Sequence, residues 1–251
     1  WISKQDVKCE SLFLDEYHGK KRAIDLGVQK SSSEFVMIMD ADISFKYVFF
    51  SSIKKSIDLN CDLYLTAVVE KNGIVWSRIL SYSMSVISIG MANIGIPILA
   101  NGAGLIFRRK SYNELMPFNS NFNISSGDDM FLLNSFLSNK RSIKTLFNTN
   151  LFIETQGSKD IQDMVERSLR WSGKMKMNGL LTTKLVGLLV IICNLIIIPL
   201  ILLSIFKFQW LFFLLLLLKL LADLLVLVTG SIFYKESKLW QYSLPMFLLY
   251  P

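Results

Sequence analysis

Residues 185–205 carry no charged side chain across 21 positions, and residues 210–233 are almost as apolar across 24. A hydrocarbon core about 30 Å thick needs roughly 20 such residues in a helix, so each stretch is long enough to span a bilayer. Only a short turn, 206–209, separates them, which makes the pair a helical hairpin. Arg167, Arg170, Lys174, Lys176 and Lys184 precede the first stretch, and Lys235 and Lys238 follow the second. Both basic flanks then lie on one side, which the positive-inside rule makes cytoplasmic. Lys219 and Asp223 lie inside the second stretch, four positions apart, where they can pair on one helix face and lower the cost of burying charge.

That hairpin dictates the division of the chain. Of 251 residues 52% are hydrophobic and mean hydropathy is +0.42, too apolar for one soluble domain, but the excess sits in the last third. Residues 1–178 mix charged, polar and apolar side chains and suffice for one core; 179–251 form the membrane region, with a third span starting at about 240. The net charge of +7 is accounted for largely by the flanks, and no zinc-finger or RNA-binding signature accompanies it, so nucleic acid is not expected as a partner. Cys9, Cys61 and Cys193 are odd in number and form no CxxC, which indicates neither a zinc site nor a disulfide framework. The polar residues 1–10 do not read as a signal peptide. With no initiator Met, and a last residue inside another apolar run, the chain reads as a piece of a longer protein.

Within the polar part, 20–30 reads as a short amphipathic helix and Phe35–Met39 as a buried strand. A helix over 48–57 and a strand over 63–69 follow. Alternating strands and helices argue for an α/β sheet, in which ligands gather at the carboxyl ends of strands. Residues 76–94 read as a core or interfacial helix, 101–104 as a tight turn, 105–108 as a strand, and 128–137 as a helix with Asp128 and Asp129 in its first turn.

Asp40-Ala41-Asp42 therefore stands at a strand end. Two carboxylates there suit Mg²⁺ or Mn²⁺, which prefer oxygen ligands and leave other positions to water and phosphates. Asp129 is the candidate general base, with Asp128 beside it raising its proton affinity by like-charge repulsion. Arg170 is placed to hold phosphate oxygens and Trp171 to pack against an acceptor sugar or the membrane surface. Each feature has a plainer reading when taken singly: an acidic turn, a helix N-terminal charge cluster, an interfacial anchor.

Taken in order, Asp40-Ala41-Asp42, Asn101-Gly102-Ala103-Gly104, Gly127-Asp128-Asp129 and Arg170-Trp171 ahead of paired spans resemble the family 2 glycosyltransferases. The resemblance is to their membrane-bound branch, with cellulose synthase, hyaluronan synthase and ceramide glucosyltransferase, and covers roughly residues 20–242. It implies a GT-A (Rossmann-like) α/β fold, here lacking its first strand, and a Mg²⁺ or Mn²⁺ cofactor. It also implies a UDP- or GDP-sugar donor, inversion at the anomeric carbon, and a lipid or glycan acceptor. Asp40 and Asp42 match the family's DxD metal motif, Asp129 its catalytic base, and Arg170 with Trp171 the end of Q(Q/R)xRW. His18-Gly19-Lys20 resembles the segment beside the donor diphosphate, which makes Lys20 a donor contact. Arg167 and Ser168 depart from the pattern, standing where the last motif has Gln and Gln or Arg. The implied location is a bacterial-type inner membrane with the catalytic domain in the cytoplasm.

Two other readings compete. A haloacid-dehalogenase-type phosphatase also places Asp-x-Asp after a strand, with Asp40 as nucleophile, but Ser44 replaces its expected Thr or Val and Arg170-Trp171 has no role there. A non-catalytic membrane scaffold or transporter subunit draws its support from Lys219 and Asp223.

Overall fold

The computed structural model describes residues 10–14, 19–177, 181–207, 210–236 and 239–242. Cys9, His18 and most of the expected third span lie outside them. Helix α1, Lys20–Lys30, turns Ile24 and Val28, one helical turn apart, onto the core and stops where Ser31 becomes extended. Strand β1, Phe35–Met39, follows as expected. Then come β2, Ser44–Phe45, α2, Phe49–Ser56, β3, Leu63–Thr66, and β4, Val68–Lys71. The single strand expected over 63–69 is thus two. It breaks at Ala67, whose carbonyl accepts a bond from Ile153 N–H at 3.0 Å, so the chain leaves one sheet and enters another.

Helix α3, Val75–Asn93, leads to β5, Gly104–Arg108, α4, Arg109–Leu115, and α5, Asp128–Ser138. Strands β6, Ile143–Leu146, and β7, Ile153–Gln156, precede α6, Ile161–Met177. The first sheet has the order β1-β5-β3-β6, with β5 antiparallel to both neighbours and β3 parallel to β6. The second has the order β2-β7-β4, with β4 and β7 parallel. Both sheets are mixed, where strand–helix alternation alone suggests parallel pairing.

The alternation of side chains along β1, β3 and β5 builds an apolar cluster on each face of the first sheet. Leu63, Leu65, Leu105 and Phe107 meet Val28, Tyr112, Leu132 and Phe136 of the helices on one face. Tyr64 and Ile106 meet Phe49, Ile53 and Ile153 on the other. Burying each such side chain contributes about 1.5–3 kcal/mol, so two of the three apolar clusters centre on this sheet. A third cluster joins Ala67, Val69, Ile79, Tyr82 and Ile89 to Leu227 and Tyr234 near the chain's end.

Two helical stretches, Leu181–Phe206 of 26 residues and Trp210–Tyr234 of 25, are long and apolar enough to cross a membrane. The first is broken into α7, Leu181–Leu195, and α8, Ile197–Lys207. Pro199 explains the break, since its ring crowds the carbonyl four residues back, at Leu195. The second is α9, where Lys219 Nζ donates to Asp223 Oδ1 at 2.6 Å, the i,i+4 pair expected from spacing. Residues Leu239–Tyr242, at the start of the expected third span, form a single 3₁₀ turn.

Candidate active site

Strand pairing brings the separated motifs together. Because β5 runs antiparallel to β1 with Met39 opposite Gly104, the Asn101-Gly102-Ala103 turn that opens β5 lies beside Asp40, which closes β1. The N-terminus of α5 reaches the same place. Gly127 caps it at φ +81°, a left-handed conformation that favours glycine and turns the chain so that both aspartates enter the first helical turn. A Cβ added to Gly102 would lie 3.1 Å from Asp128 Oδ2 and 3.3 Å from Lys20 Nζ, so a side chain there would oblige both groups to shift.

Lys20, in the first turn of α1, sits between the acidic segments. Its Nζ is 2.7 Å from Asp40 Oδ1 and 3.2 Å from Asp128 Oδ2. Burial works to lower the pKa of this ammonium, but Asp40 and Asp128 outweigh it and hold the value above the ordinary one. Lys21, unlike Lys20, is buried; its Nζ donates to the Asn121 carbonyl at 2.9 Å and lies 4.0 Å from the Phe131 ring centre. Here burial prevails over Asp128 and Asp129 and pushes the pKa down.

The two adjacent aspartates are both buried but serve different surroundings. Asp128 turns to Lys20. Asp129 accepts the Met130 N–H at 2.9 Å and lines a cavity of about 220 Å³. Asp40, Asp42 and Lys20 line the same cavity, so three of the four aspartates of the two acidic motifs share it. Oxygen donors from Asp40 and Asp42 are of the kind that Mg²⁺ and Mn²⁺ prefer. Among the described residues no three acidic, His or Cys side chains cluster tightly enough to hold a metal by themselves. Two carboxylates fit a cation that takes its remaining ligands from water and substrate phosphate.

On α6 the arginines change places. Arg167 and Trp171, four apart on one helix face, line the cavity; Arg170 is exposed and lies outside its lining. Asp160 caps this helix, its Oδ1 accepting Asp163 N–H at 2.8 Å while Asp163 Oδ2 accepts Lys159 N–H at 3.1 Å. Arg167 is firmly held: Nε donates to Asp163 Oδ1 at 3.2 Å and Nη1 to the Gln156 carbonyl at 2.8 Å.

Sequence reasoning missed Glu70, the most buried charged group in the cavity wall at 3% exposure. Its carboxylate accepts the Ser77 hydroxyl and lies 3.5 Å from Arg167 Nη1, and its N–H donates to Ser81 Oγ at 2.9 Å. Burial pushes the Glu70 carboxyl above its ordinary value, although Ser77 and Arg167 oppose the shift. An available signal was its place just beyond the apolar run 63–69, as Asp40 lies beyond Phe35–Met39. Ser81, Ser85 and Ser88 of α3 complete that side of the cavity, and α3 also packs on α9, through residues that include Ser85 and Ile89 of the cavity lining.

Comparison with protein-family models and with curated proteins finds no match to this chain.

Proposed function

We propose that this protein is a membrane-anchored inverting glycosyltransferase that moves a sugar from a UDP- or GDP-sugar to a hydroxyl of a lipid or glycan. One observation carries the reading: Asp40 and Asp42 from a strand end and Asp129 from a helix N-terminus line one cavity with Lys20 and Trp171. The order of these motifs, and their likeness to the membrane-bound family 2 enzymes with their GT-A domain, support it. Helices α7–α8 and α9 are taken as the anchor, with the cavity on the cytoplasmic side.

The transfer has three requirements: charge balance for the leaving diphosphate, a proton acceptor, and a held geometry. Asp40 and Asp42 would hold the cation, Mg²⁺ or Mn²⁺, which when bound balances the diphosphate charge. Lys20 contributes a second positive charge beside it. The acceptor oxygen attacks the anomeric carbon from the face opposite the diphosphate, and the bond from that carbon to the phosphate oxygen breaks. The nucleoside diphosphate leaves with the bonding pair while the hydroxyl proton passes to the Asp129 carboxylate. Trp171 offers a flat apolar face to a sugar ring. Arg170, exposed on α6, is proposed to meet phosphate only at the cavity's rim.

A donor screen tests this reading. The protein in lipid nanodiscs, given UDP- and GDP-sugars with Mn²⁺, Mg²⁺ or EDTA, should release nucleoside diphosphate from one donor in a metal-dependent way and form a product of inverted anomeric configuration. Absence of release from every donor would overturn it.

A further inference from the structure

Lys20 occupies the position in which a cation would be most useful. Its ammonium lies on Asp40, the first carboxylate of the DxD pair, at 2.7 Å, and on the buried Asp128 at 3.2 Å. We infer that Lys20 is a positioning residue that keeps the divalent cation off Asp40 until a nucleoside diphosphate arrives, so that metal and donor bind together. This rests on the transferase reading above and specifies how that same site is controlled.

A divalent ion on Asp40 and Asp42 would bring two positive charges against the ammonium, and like charges a few ångströms apart repel even where water partly screens them. Lys20 and the metal therefore compete for Asp40. Diphosphate resolves the competition, because its oxygens give the ammonium a new partner while completing the metal's ligands. The geometry permits the move. Lys20 ends a flexible four-carbon stem and is 41% exposed, whereas Asp128 at 7% is fixed in the first turn of α5. Gly102, with no side chain, lets both groups approach where an added Cβ would lie 3.1 Å from Asp128 Oδ2 and 3.3 Å from Lys20 Nζ. Metal and nucleotide then show positive coupling, each raising the affinity of the other by the same factor.

The test is Mn²⁺ titration followed by the electron paramagnetic resonance signal of the free ion, with and without UDP and GDP, on the protein in nanodiscs. Wild type should bind Mn²⁺ weakly alone and about tenfold or more tightly with the matching nucleotide. Lys20→Met should bind Mn²⁺ alone about tenfold more tightly than wild type and lose most of the coupling, while Lys20→Arg should keep it. Asp128→Asn, which removes the ammonium's second partner but no cavity-lining carboxylate, should press Lys20 onto Asp40 and weaken Mn²⁺ binding further. That opposite shift serves as the independent variant should Lys20→Met not fold. If Lys20→Met and Asp128→Asn both bind Mn²⁺ alone as wild type does, the inference is overturned and the transferase reading stands. If wild type binds neither Mn²⁺ nor nucleotide, separately or together, the transferase reading itself fails and this inference with it.

Discussion

Lys20 Nζ and Asp40 Oδ1 lie 2.7 Å apart, joining the first turn of α1 to the end of β1 at the cavity wall. The same ammonium is the partner of Asp128, whose side chain is almost wholly buried. Removing one partner of a buried charge leaves the other without compensation, which is costly. Lys20→Met should therefore lower stability by about 1–3 kcal/mol, less than for a fully enclosed pair because Lys20 is itself partly solvated. Chemical denaturation of wild type and variant in nanodiscs reads this directly.

Glu70 should give a pH signature. Burial raises its folded-state pKa above the ordinary value, so in the window from about pH 4.5 up to that raised value the folded state binds more protons than the unfolded state. The contribution of Glu70 to stability is then fully present below the window and declines as pH rises through it. Glu70→Gln does not titrate. The stability of wild type relative to Glu70→Gln should fall as pH rises from about 4.5 through that raised value, as measured by melting temperatures from acid to neutral pH; a rise would mean that the folded state favours the ionised carboxylate.

The acceptor should be uncharged at its reacting group. Four carboxylates, Asp40, Asp42, Glu70 and Asp129, line the cavity against two cations, Lys20 and Arg167, and Arg167 is already engaged by Asp163 and the Gln156 carbonyl. A metal–diphosphate complex leaves that excess of negative charge nearly unchanged, so a second anion is disfavoured. With the donor established, neutral alkyl glycosides should accelerate nucleotide release and farnesyl phosphate should not.

Tyr234, at the end of α9, touches the cavity wall through α3. Its hydroxyl and Ser85 Oγ are 2.5 Å apart in a buried setting, and its ring centre is 4.9 Å from that of Tyr82. Tyr234→Phe leaves the Ser85 hydroxyl without that bond, at a cost of about 1–3 kcal/mol. The loss should appear as a lowered melting temperature with the α9 helix intact by circular dichroism.

Much of the fold was legible because strong local signals carried it. Phe35–Met39 is apolar at every position, Lys20–Lys30 has a helical apolar face, and the two long apolar helices need only length and composition. Strands β6 and β7 were missed because Ile-Lys-Thr-Leu and Ile-Glu-Thr-Gln are short and half polar; pairing with β3 and β4 makes them strands, which is a tertiary effect. The same pairing decides that the sheets are mixed. In the candidate site, Asp40, Asp42 and Asp129 were readable as element ends. Arg167 was not, since motif position favoured Arg170, whereas helical phase puts 167 with Trp171. Glu70 stood just past the run 63–69, but its burial and its pairing with Arg167 follow from the break at Ala67, which carries it into the second sheet.

Donor-dependent nucleotide release by Asp42→Ala and Asp129→Asn, measured side by side, tests most directly whether the distant acidic segments act on one substrate. Asp42→Ala should raise the donor KM and the Mn²⁺ requirement together. Asp129→Asn should lower kcat by about 10²–10⁴-fold with donor KM and Mn²⁺ requirement near wild type. Wild-type kinetics in both variants would contradict the account.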